Sequence, residues 1–292
     1  GFARWAQATA PKPKGKRILA ADGKSLRGSF KTDERTDMFH SVALMCHESG
    51  MMLALNGTYG KGHEIADLRR LLQVMDLRDT LITADALHTT SETVRLIVEA
   101  KGDYLLPLKD NCSATLAQAQ LLFESAQREG DELGYRYEQT DSGHGRVEVR
   151  RGWSAPVSPR WFGSDSKQWA GVKSVVRLER ERHLKGETSV EVIYMLSSLE
   201  AQHVELMCQA ARGHWAIENR GHWVLDVILK EDSSRLRAKR AARNLAVVRR
   251  MVLNLLRQDL SQNCSLKRKR FRASMDQDIL ERLIRPLTNI PH

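Results

Sequence analysis

The sequence predicts an α/β fold in which a mixed sheet is flanked by helices and is followed by an antiparallel β insertion. Three patterns support this prediction. Apolar segments of strand length alternate with segments of helical periodicity over residues 17–134. Residues 135–199 alternate apolar and polar side chains between Gly, Pro and Ser, which predicts antiparallel strands. Residues 201–260 contain no proline and are mostly of helical pattern.

The predicted elements of the first part follow in order. A short apolar strand at 17–22 ends on Asp22, and the segments 39–49 and 51–60 flank a Ser-Gly turn and predict a hairpin. The remaining predictions are a helix at 63–77, a strand at 80–87, a helix at 91–102, a strand at 103–109 and a helix at 112–130. This order is what a ribonuclease H-like fold requires.

Four regions are expected along the chain. Residues 1–16 resemble the end of an amphipathic helix and a basic linker, and we expect them to be the remnant of an N-terminal domain. Residues 17–134 form the first part of the core, 135–199 the β insertion, and 200–292 the helical completion with a basic C-terminal region. The last helix is expected near residues 275–287.

The charge balance points to a polyanionic partner. Lys and Arg number 46 against 36 Asp and Glu, which gives a formal charge of +10. Such an excess favours nucleic acid, because each neutralised phosphate releases counterions. An anionic membrane surface is an alternative partner for the same charge. No apolar run reaches the roughly 20 residues that span a bilayer, and no signal peptide is evident, so a cytoplasmic, nucleoid-associated protein is expected.

The cysteines argue against a zinc domain. The four cysteines stand far apart and form no CxxC pair, which is typical of small core residues in a reducing compartment. Cys208, His214 and His222 also fit no zinc-ligand spacing.

Two aspartates follow predicted strands. Asp22 and Asp85 each end an apolar strand, and ligands of open α/β sheets gather outside the carboxyl ends of strands. Carboxylates placed there can share divalent cations, and a pair about 3.5–4 Å apart supports phosphoryl transfer. Mg²⁺ suits such a site because it accepts one or two carboxylates and completes its shell with water and phosphate oxygens. The alternative is that either aspartate is a turn former or a helix cap.

A third acidic ligand is expected from the segment 213–235, which is predicted to be a helix. Trp215, Glu218 and His222 share one face of that helix by spacing. A glutamate on an apolar face is costly unless it is paired or binds metal. Alternatively, Glu218 pairs with Arg220 or Arg212 at the surface. Three other acidic residues compete for the ligand role: Asp226, Glu231 and Asp232.

Six blocks of the chain, in order, carry a family resemblance. They are ILAADGKSLRGS, LITADALHTT, GDYLLPLKDN, HGRVEVRR, VKSVVRLERER and HWAIEN with HWVLDVILKEDSSR. Together they resemble the H-repeat-associated transposases of bacterial insertion sequences, over residues 17–283. This resemblance implies a DDE transposase with a ribonuclease H-like core and a β insertion before the last catalytic helix. It implies Asp22, Asp85 and Glu218 as catalytic metal ligands, two Mg²⁺ ions with Mn²⁺ as a substitute, double-stranded DNA (element ends and target) as partner, and a homodimer on DNA.

The sequence departs from the related pattern at two positions. Related transposases have an Arg four places before the glutamate and a Lys seven places after it, where this chain has His214 and Leu225. A protonated His214 can contact a phosphate, whereas Leu225 cannot. The N-terminal domain usual in the family is also expected to be largely absent.

A set of basic and polar residues is predicted to contact DNA. Some lie beside the predicted strand ends, some in the β insertion and some in the basic C-terminal run: Lys24, Arg27, Lys109, Asn111, His144, Arg146, His214, Arg235, Arg237, Lys267, Arg268, Lys269 and Arg270. Phosphate contacts of this kind position DNA without reading its sequence. The alternative for each charge run is an ordinary solvated face.

Three functions remain open. The first is a transposase that cleaves element ends and transfers a strand into target DNA. The second is a structure-specific nuclease or resolvase on the same fold, which cuts without joining. The third is a retired transposase that binds DNA or a partner without catalysis.

Overall fold

The computed structural model describes residues 1–29, 38–129, 134–143, 146–158, 160–162, 168–184 and 186–287. The chain divides into two compact units. The first unit comprises Gly1–Met75 and Trp215–His292, and the second comprises Asp76–His214.

The described residues form strands and helices with the following bounds. The strands are β1 (Arg17–Leu26), β2 (Phe39–Cys46), β3 (Met52–Tyr59), β4 (Thr80–Ala84), β5 (Asp103–Leu108), β6 (Tyr135–Gly143), β7 (Arg146–Pro156), β8 (Ser174–Leu184) and β9 (Glu187–Ser197). The helices are α1 (Phe2–Thr9), α2 (Glu64–Leu72), α3 (Ser91–Glu99), α4 (Ser113–Glu129), α5 (Val204–His214), α6 (Trp223–Val227), α7 (Lys239–Gln258), α8 (Leu266–Met275) and α9 (Gln277–Ile284).

In the first unit, β1, β2 and β3 form an antiparallel meander. The hairpin predicted from the Ser-Gly turn is confirmed. In the core of the first unit, Ala20, Met45 and Met52 of the strands pack against Ile217 and Leu253 of the helical region. The helix α7 also bonds directly to β3: the Asn254 side chain accepts from the Met52 amide at 2.8 Å and donates to its carbonyl at 2.7 Å.

The predicted end of β1 at Asp22 is wrong. The strand continues to Leu26, and Asp22 lies inside it, opposite Ala43 of β2. The physical reason is the partner strand, which pairs with β1 as far as Leu26 and so satisfies the backbone beyond the aspartate.

In the second unit, a mixed sheet carries helices on its faces. β4 and β5 are parallel and are joined through α3, while β5, β9, β8, β7 and β6 follow one another in antiparallel pairs. The α/β class and the antiparallel strands predicted for residues 135–199 are therefore confirmed. Because β9 pairs with β5 from Leu105↔Ser197 to Leu108↔Tyr194, these strands extend the core sheet. The region boundaries expected from the sequence stay predictions.

The segment predicted as one helix at 213–235 is broken. A π-helical segment occupies Ile217–His222, α6 ends at Val227, and residues 228–238 are not helical. The end of α6 is closed by a hydrogen bond from the Glu231 amide to the Leu225 carbonyl at 3.0 Å, with Lys230 in a left-handed conformation at φ 53°. Glycine is the usual residue at such a left-handed position after a helix, because it has no β-carbon.

The last helix, expected near residues 275–287, is present as α9, and the basic run before it forms the separate helix α8. Asp276 separates α8 from α9 and caps the second of them, since its side chain accepts from the Ile279 amide at 3.1 Å. Among the described residues, no helix is both long and apolar enough to cross a membrane.

Candidate metal centre

Asp22 is held in the middle of β1 with its carboxylate directed by the backbone. Its Oδ1 accepts a hydrogen bond from the Gly23 amide at 2.8 Å. The side chain keeps 25% of its surface exposed. The strand therefore presents a partly solvated carboxylate from a rigid position, which suits a ligand for a hard cation.

The π-helical segment brings two further donors to Asp22. His222 Nδ1 lies 3.3 Å from Glu218 Oε2 and 3.6 Å from Asp22 Oδ2. One donor atom from each of the three residues lies within 4.8 Å of the other two. Glu218 is exposed, whereas the His222 side chain is only 6% exposed. Carboxylate oxygens and a neutral imidazole are a donor set that divalent cations accept.

The local backbone explains how the segment that carries Glu218 and His222 can lie close to the sheet. Gly221 lies against the sheet core, where a β-carbon would come within 2.6 Å of Met52 Cε. The lack of a side chain at this position lets the π segment approach β3 closely. π-Helical turns often occur at functional sites because they realign side chains along a helix.

His222 is a neutral ring. Burial is the main cause that lowers its pKa to about 3, and the positive charges of Arg250 and Lys24 lower it further, against the opposing effect of Asp232. Its Nε2 is buried and has no hydrogen-bond partner within the described residues. A neutral imidazole keeps a nitrogen lone pair available for a cation.

Next to the centre lies a network of ion pairs, one of which is fully buried. Lys24, with a side chain only 7% exposed, places Nζ 2.8 Å from Asp226 Oδ1 and 3.1 Å from Asp232 Oδ1. Arg250 and Glu231 form a pair at 2.7 Å in which neither side chain is exposed. The three acidic residues that competed with Glu218 are therefore engaged with cations of the protein itself.

The two arginines considered as surface partners of Glu218 bind other groups. Arg220 donates to the carbonyls of His47 at 2.7 Å and Glu48 at 3.3 Å. Arg212 pairs with Asp141 at 3.0 Å. Glu218 instead lies with Asp22 and His222.

Asp85 belongs to the second unit and directly follows β4, which ends at Ala84, three residues before the end of the strand predicted at 80–87. Its side chain is half exposed, and its Oδ1 lies 3.8 Å from Nε2 of the buried His88. Nearby, Thr83 Oγ1 and His214 Nδ1 are 3.1 Å apart. Burial lowers the pKa of His214, and the charge of Asp85 partly opposes that shift.

Asn111 holds the loop that follows Asp85. Its side-chain amide donates to the Ala86 carbonyl at 2.8 Å and to the Thr89 carbonyl at 3.2 Å. The structure thus gives this predicted DNA-contact residue a role in shaping the Asp85 loop.

Lys269 is placed differently from the other predicted DNA contacts. It is buried, and its ammonium donates to the carbonyls of Leu256, at 3.2 Å, and Asp259. This arrangement satisfies carbonyls at the end of α7, so the structure assigns Lys269 to the stability of the fold. Lys24 is likewise engaged in its ion pairs with Asp226 and Asp232.

The remaining predicted DNA contacts are distributed over the surface. Exposed side chains are those of Arg27, Lys109, Arg146, Arg235, Arg237, Lys267, Arg268 and Arg270. Arg27 lies 3.8 Å from Asp232, and Arg270 also donates to the Ile228 carbonyl. His144 lies outside the described residues.

Sequence reasoning did not assign His222 to the centre. Its spacing from Cys208 and His214 fits no zinc site. The available signal was its position four residues after Glu218, because residues four apart on a helix are neighbours. What the sequence lacked was the approach of Asp22, which lies 200 residues away along the chain.

Comparison with known proteins identifies the family. The family model described as a transposase DDE domain matches residues 13–255. The chain belongs to this family. Its mixed α/β architecture agrees with the ribonuclease H-like fold expected for such transposases. Membership implies DNA as a partner and dependence on a divalent metal.

Curated relatives agree with this assignment. The chain is 32% identical over 270 residues to the "Putative transposase YncI" of Escherichia coli O157:H7, a match that covers 91% of this chain and 68% of the relative. It is 28% identical over 269 residues to the "H repeat-associated putative transposase YhhI" of Escherichia coli K12, covering 91% and 70% of the two chains. The H-repeat-associated resemblance read from the six sequence blocks is confirmed.

Proposed function

We propose that this chain is a DNA transposase that cleaves element ends and transfers the strand into target DNA, with Asp22, Asp85 and Glu218 as its catalytic carboxylates. The observation that carries the proposal is the convergence of Asp22, Glu218 and His222 in a chain of the transposase DDE family. Asp85 lies in the second unit, and its assignment rests on the family motif and on its position at the end of β4.

The proposed metal is Mg²⁺, as two ions, with Mn²⁺ as a substitute. When bound, the ions supply Lewis-acid stabilisation of the attacking and leaving oxygens of an in-line displacement. The chain contributes the ligands and their orientation. The Gly23 amide orients Asp22, and the π segment presents Glu218.

The proposed DNA-binding surface consists of the exposed basic residues. Arg235 and Arg237 in the loop after α6, and Lys267, Arg268 and Arg270 on α8, supply positive charge in the first unit. Lys109 and Arg146 supply it in the second. A dimer on DNA is proposed from the need of a transposase to hold two element ends.

The test is a strand-transfer assay with labelled element-end DNA, a supercoiled target, and Mg²⁺ or Mn²⁺. Asp22→Asn, Asp85→Asn and Glu218→Gln remove one ligand charge each with little change of shape. Glu205→Gln, an exposed position on α5, is the matched control. We expect joined products from the unmodified chain and the control, and loss of at least about a hundredfold in the three ligand variants, on the order of 2.7 kcal/mol.

The other outcomes discriminate among functions. Cleavage without joining by the unmodified chain would identify a nuclease or resolvase. Duplex binding with neither cleavage nor joining would identify a retired transposase. Activity that survives all three substitutions would refute the carboxylate assignment.

A further inference from the structure

His222 occupies the centre without a good hydrogen bond of its own. The ring is buried, yet the acceptors nearest to Nδ1 are at 3.3 and 3.6 Å, beyond the usual range of about 2.7–3.2 Å for a nitrogen donor. Its Nε2 is buried without a hydrogen-bond partner in the described part of the chain. A buried nitrogen such as Nδ1, left without a well-formed hydrogen bond, is costly unless another group satisfies it. When Nδ1 offers its lone pair to an ion, the neutral ring carries its proton on Nε2.

The spacing of the donors fits a shared cation better than a hydrogen bond. Adjacent ligands of an octahedral ion with bonds of about 2.1 Å lie roughly 3 Å apart. The separations of His222 Nδ1 from Glu218 Oε2 and Asp22 Oδ2 are slightly longer than this value. A small approach of the three side chains would place all three donors around one ion.

We propose that His222 is a nitrogen ligand of this centre and that it raises the affinity of the centre for Mn²⁺ relative to Mg²⁺. The inference rests on the proposed function, in which Asp22 and Glu218 bind the metal. Its chemical basis is ligand preference: Mg²⁺ selects oxygen ligands, whereas first-row transition metal ions also accept imidazole. A centre of two carboxylates and one imidazole therefore differs from an all-carboxylate centre in the ion it retains.

The position of His222 also explains how its ring nitrogen would bind an ion at this centre. The ring sits between the sheet-bound Asp22 and the exposed Glu218, four residues along the same helical segment. Burial of the ring limits its rotamers, so Nδ1 is held toward the two carboxylates. A ligand held in this way loses little conformational entropy on binding an ion.

The experiment measures metal binding by the full chain without DNA. Mn²⁺ is titrated and followed by electron paramagnetic resonance, Mg²⁺ is then added as a competitor, and ¹⁴N coupling to bound Mn²⁺ is recorded by pulsed methods. The variants are His222→Gln, Asp22→Asn and the exposed-histidine control His203→Gln. We expect ¹⁴N coupling in the unmodified chain and in the control.

For His222→Gln we expect a loss of metal affinity that is selective for Mn²⁺. Its Mn²⁺ affinity should fall by at least about tenfold, because removal of a residue that only orients a ligand already costs about ten- to a hundredfold. Its Mg²⁺ affinity should change by less than about threefold, because Mg²⁺ gains little from nitrogen. The preference for Mn²⁺ over Mg²⁺ would thereby decrease.

Two results would overturn the inference. One is a Mn²⁺ complex of the unmodified chain that shows no ¹⁴N coupling, a measurement that stands even if His222→Gln does not fold. The other is a folded His222→Gln variant whose Mn²⁺-to-Mg²⁺ preference is unchanged. If Asp22→Asn abolishes metal binding and strand transfer while either result is found, the proposed function stands and the role of His222 fails. If Asp22→Asn leaves both intact, the proposed centre itself fails.

Discussion

At the scale of single residues, burial divides the charged side chains near the centre into two groups. Lys24, Arg250 and Glu231 are buried and paired within the protein, whereas Glu218 is exposed. A buried ion pair contributes little net stability by itself, but the loss of one partner leaves an uncompensated charge in a low-dielectric interior. The buried pairs therefore constrain the loop after α6, while the exposed carboxylate stays available for binding.

The Arg250–Glu231 pair supplies a stability prediction. Glu231→Gln or Arg250→Met should each lower the free energy of unfolding by about 3–5 kcal/mol, because one buried charge is left unpaired. The double variant Arg250→Met with Glu231→Leu should lose less than either single variant. Urea unfolding followed by circular dichroism measures these differences, and a double variant at least as unstable as both single losses together would contradict the argument.

At the scale of elements, close backbone approach decides where helices meet strands. In the second unit, α5 packs on β7 at Gly152, where a β-carbon would come within 2.2 Å of Cys208 Sγ. Burial raises the pKa of the Cys208 thiol to about 12, so the thiol is protonated and acts as a small packing group. The glycine and the cysteine are thus complementary in size.

This contact predicts that a smaller side chain at position 208 restores the stability that is lost when Gly152 is replaced. Gly152→Ala should lower the free energy of unfolding by about 1–3 kcal/mol through overpacking, and adding Cys208→Ala should recover most of that loss. Gly143→Ala in β6 is the matched control, because a β-carbon there meets no atom within 4 Å. Thermal unfolding midpoints measure the effect. A Gly152→Ala variant as stable as the control would show that α5 and β7 can separate without cost.

At the scale of the whole molecule, the formal charge of +10 is carried largely by exposed basic side chains. Some of these have acidic partners. Arg95 pairs with Glu92 at 2.6 Å and with Glu99 at 2.5 Å, and Arg180 pairs with Glu191 at 2.5 Å. Charges that are neutralised locally contribute less to DNA attraction than charges without an acidic neighbour.

Basic side chains that have an acidic neighbour and those that have none should differ in how they affect the salt dependence of DNA binding. Duplex affinity should fall with ionic strength, with a slope of log K against log salt of about −0.9 for each phosphate contacted. Replacing Arg235, Lys267 and Arg268 by Gln should make that slope shallower by up to about three. Replacing the acid-paired Arg95, Arg128 and Arg180 by Gln lowers the formal charge by the same three but should change the slope little.

Fluorescence anisotropy with a labelled duplex at several salt concentrations measures both slopes. Equal effects of the two triple variants would show that net charge, and not a DNA-binding surface on α8 and the loop before α7, governs the binding.

Local patterns along the chain were sufficient to predict most elements and the family. Alternation of apolar and polar residues predicted β6–β9, helical periodicity predicted α2, α3 and α4, and the residues after TLITA placed Asp85 at the end of β4. These features depend on neighbours within a few positions along the chain, and such neighbours are visible in a sequence. The six motif blocks identified the transposase family because they summarise the whole chain.

Which charged residues meet depends on how the chain folds in three dimensions. It continued β1 past Asp22, brought His222 to that aspartate, and paired Lys24 with Asp226 and Asp232. It also turned Lys269 inward. Each outcome depends on groups that are distant along the chain but close in space, and burial and pairing are set by those groups. Periodicity and composition describe the chain one segment at a time. They therefore identified these residues as candidates but did not show which of them lie together in the fold.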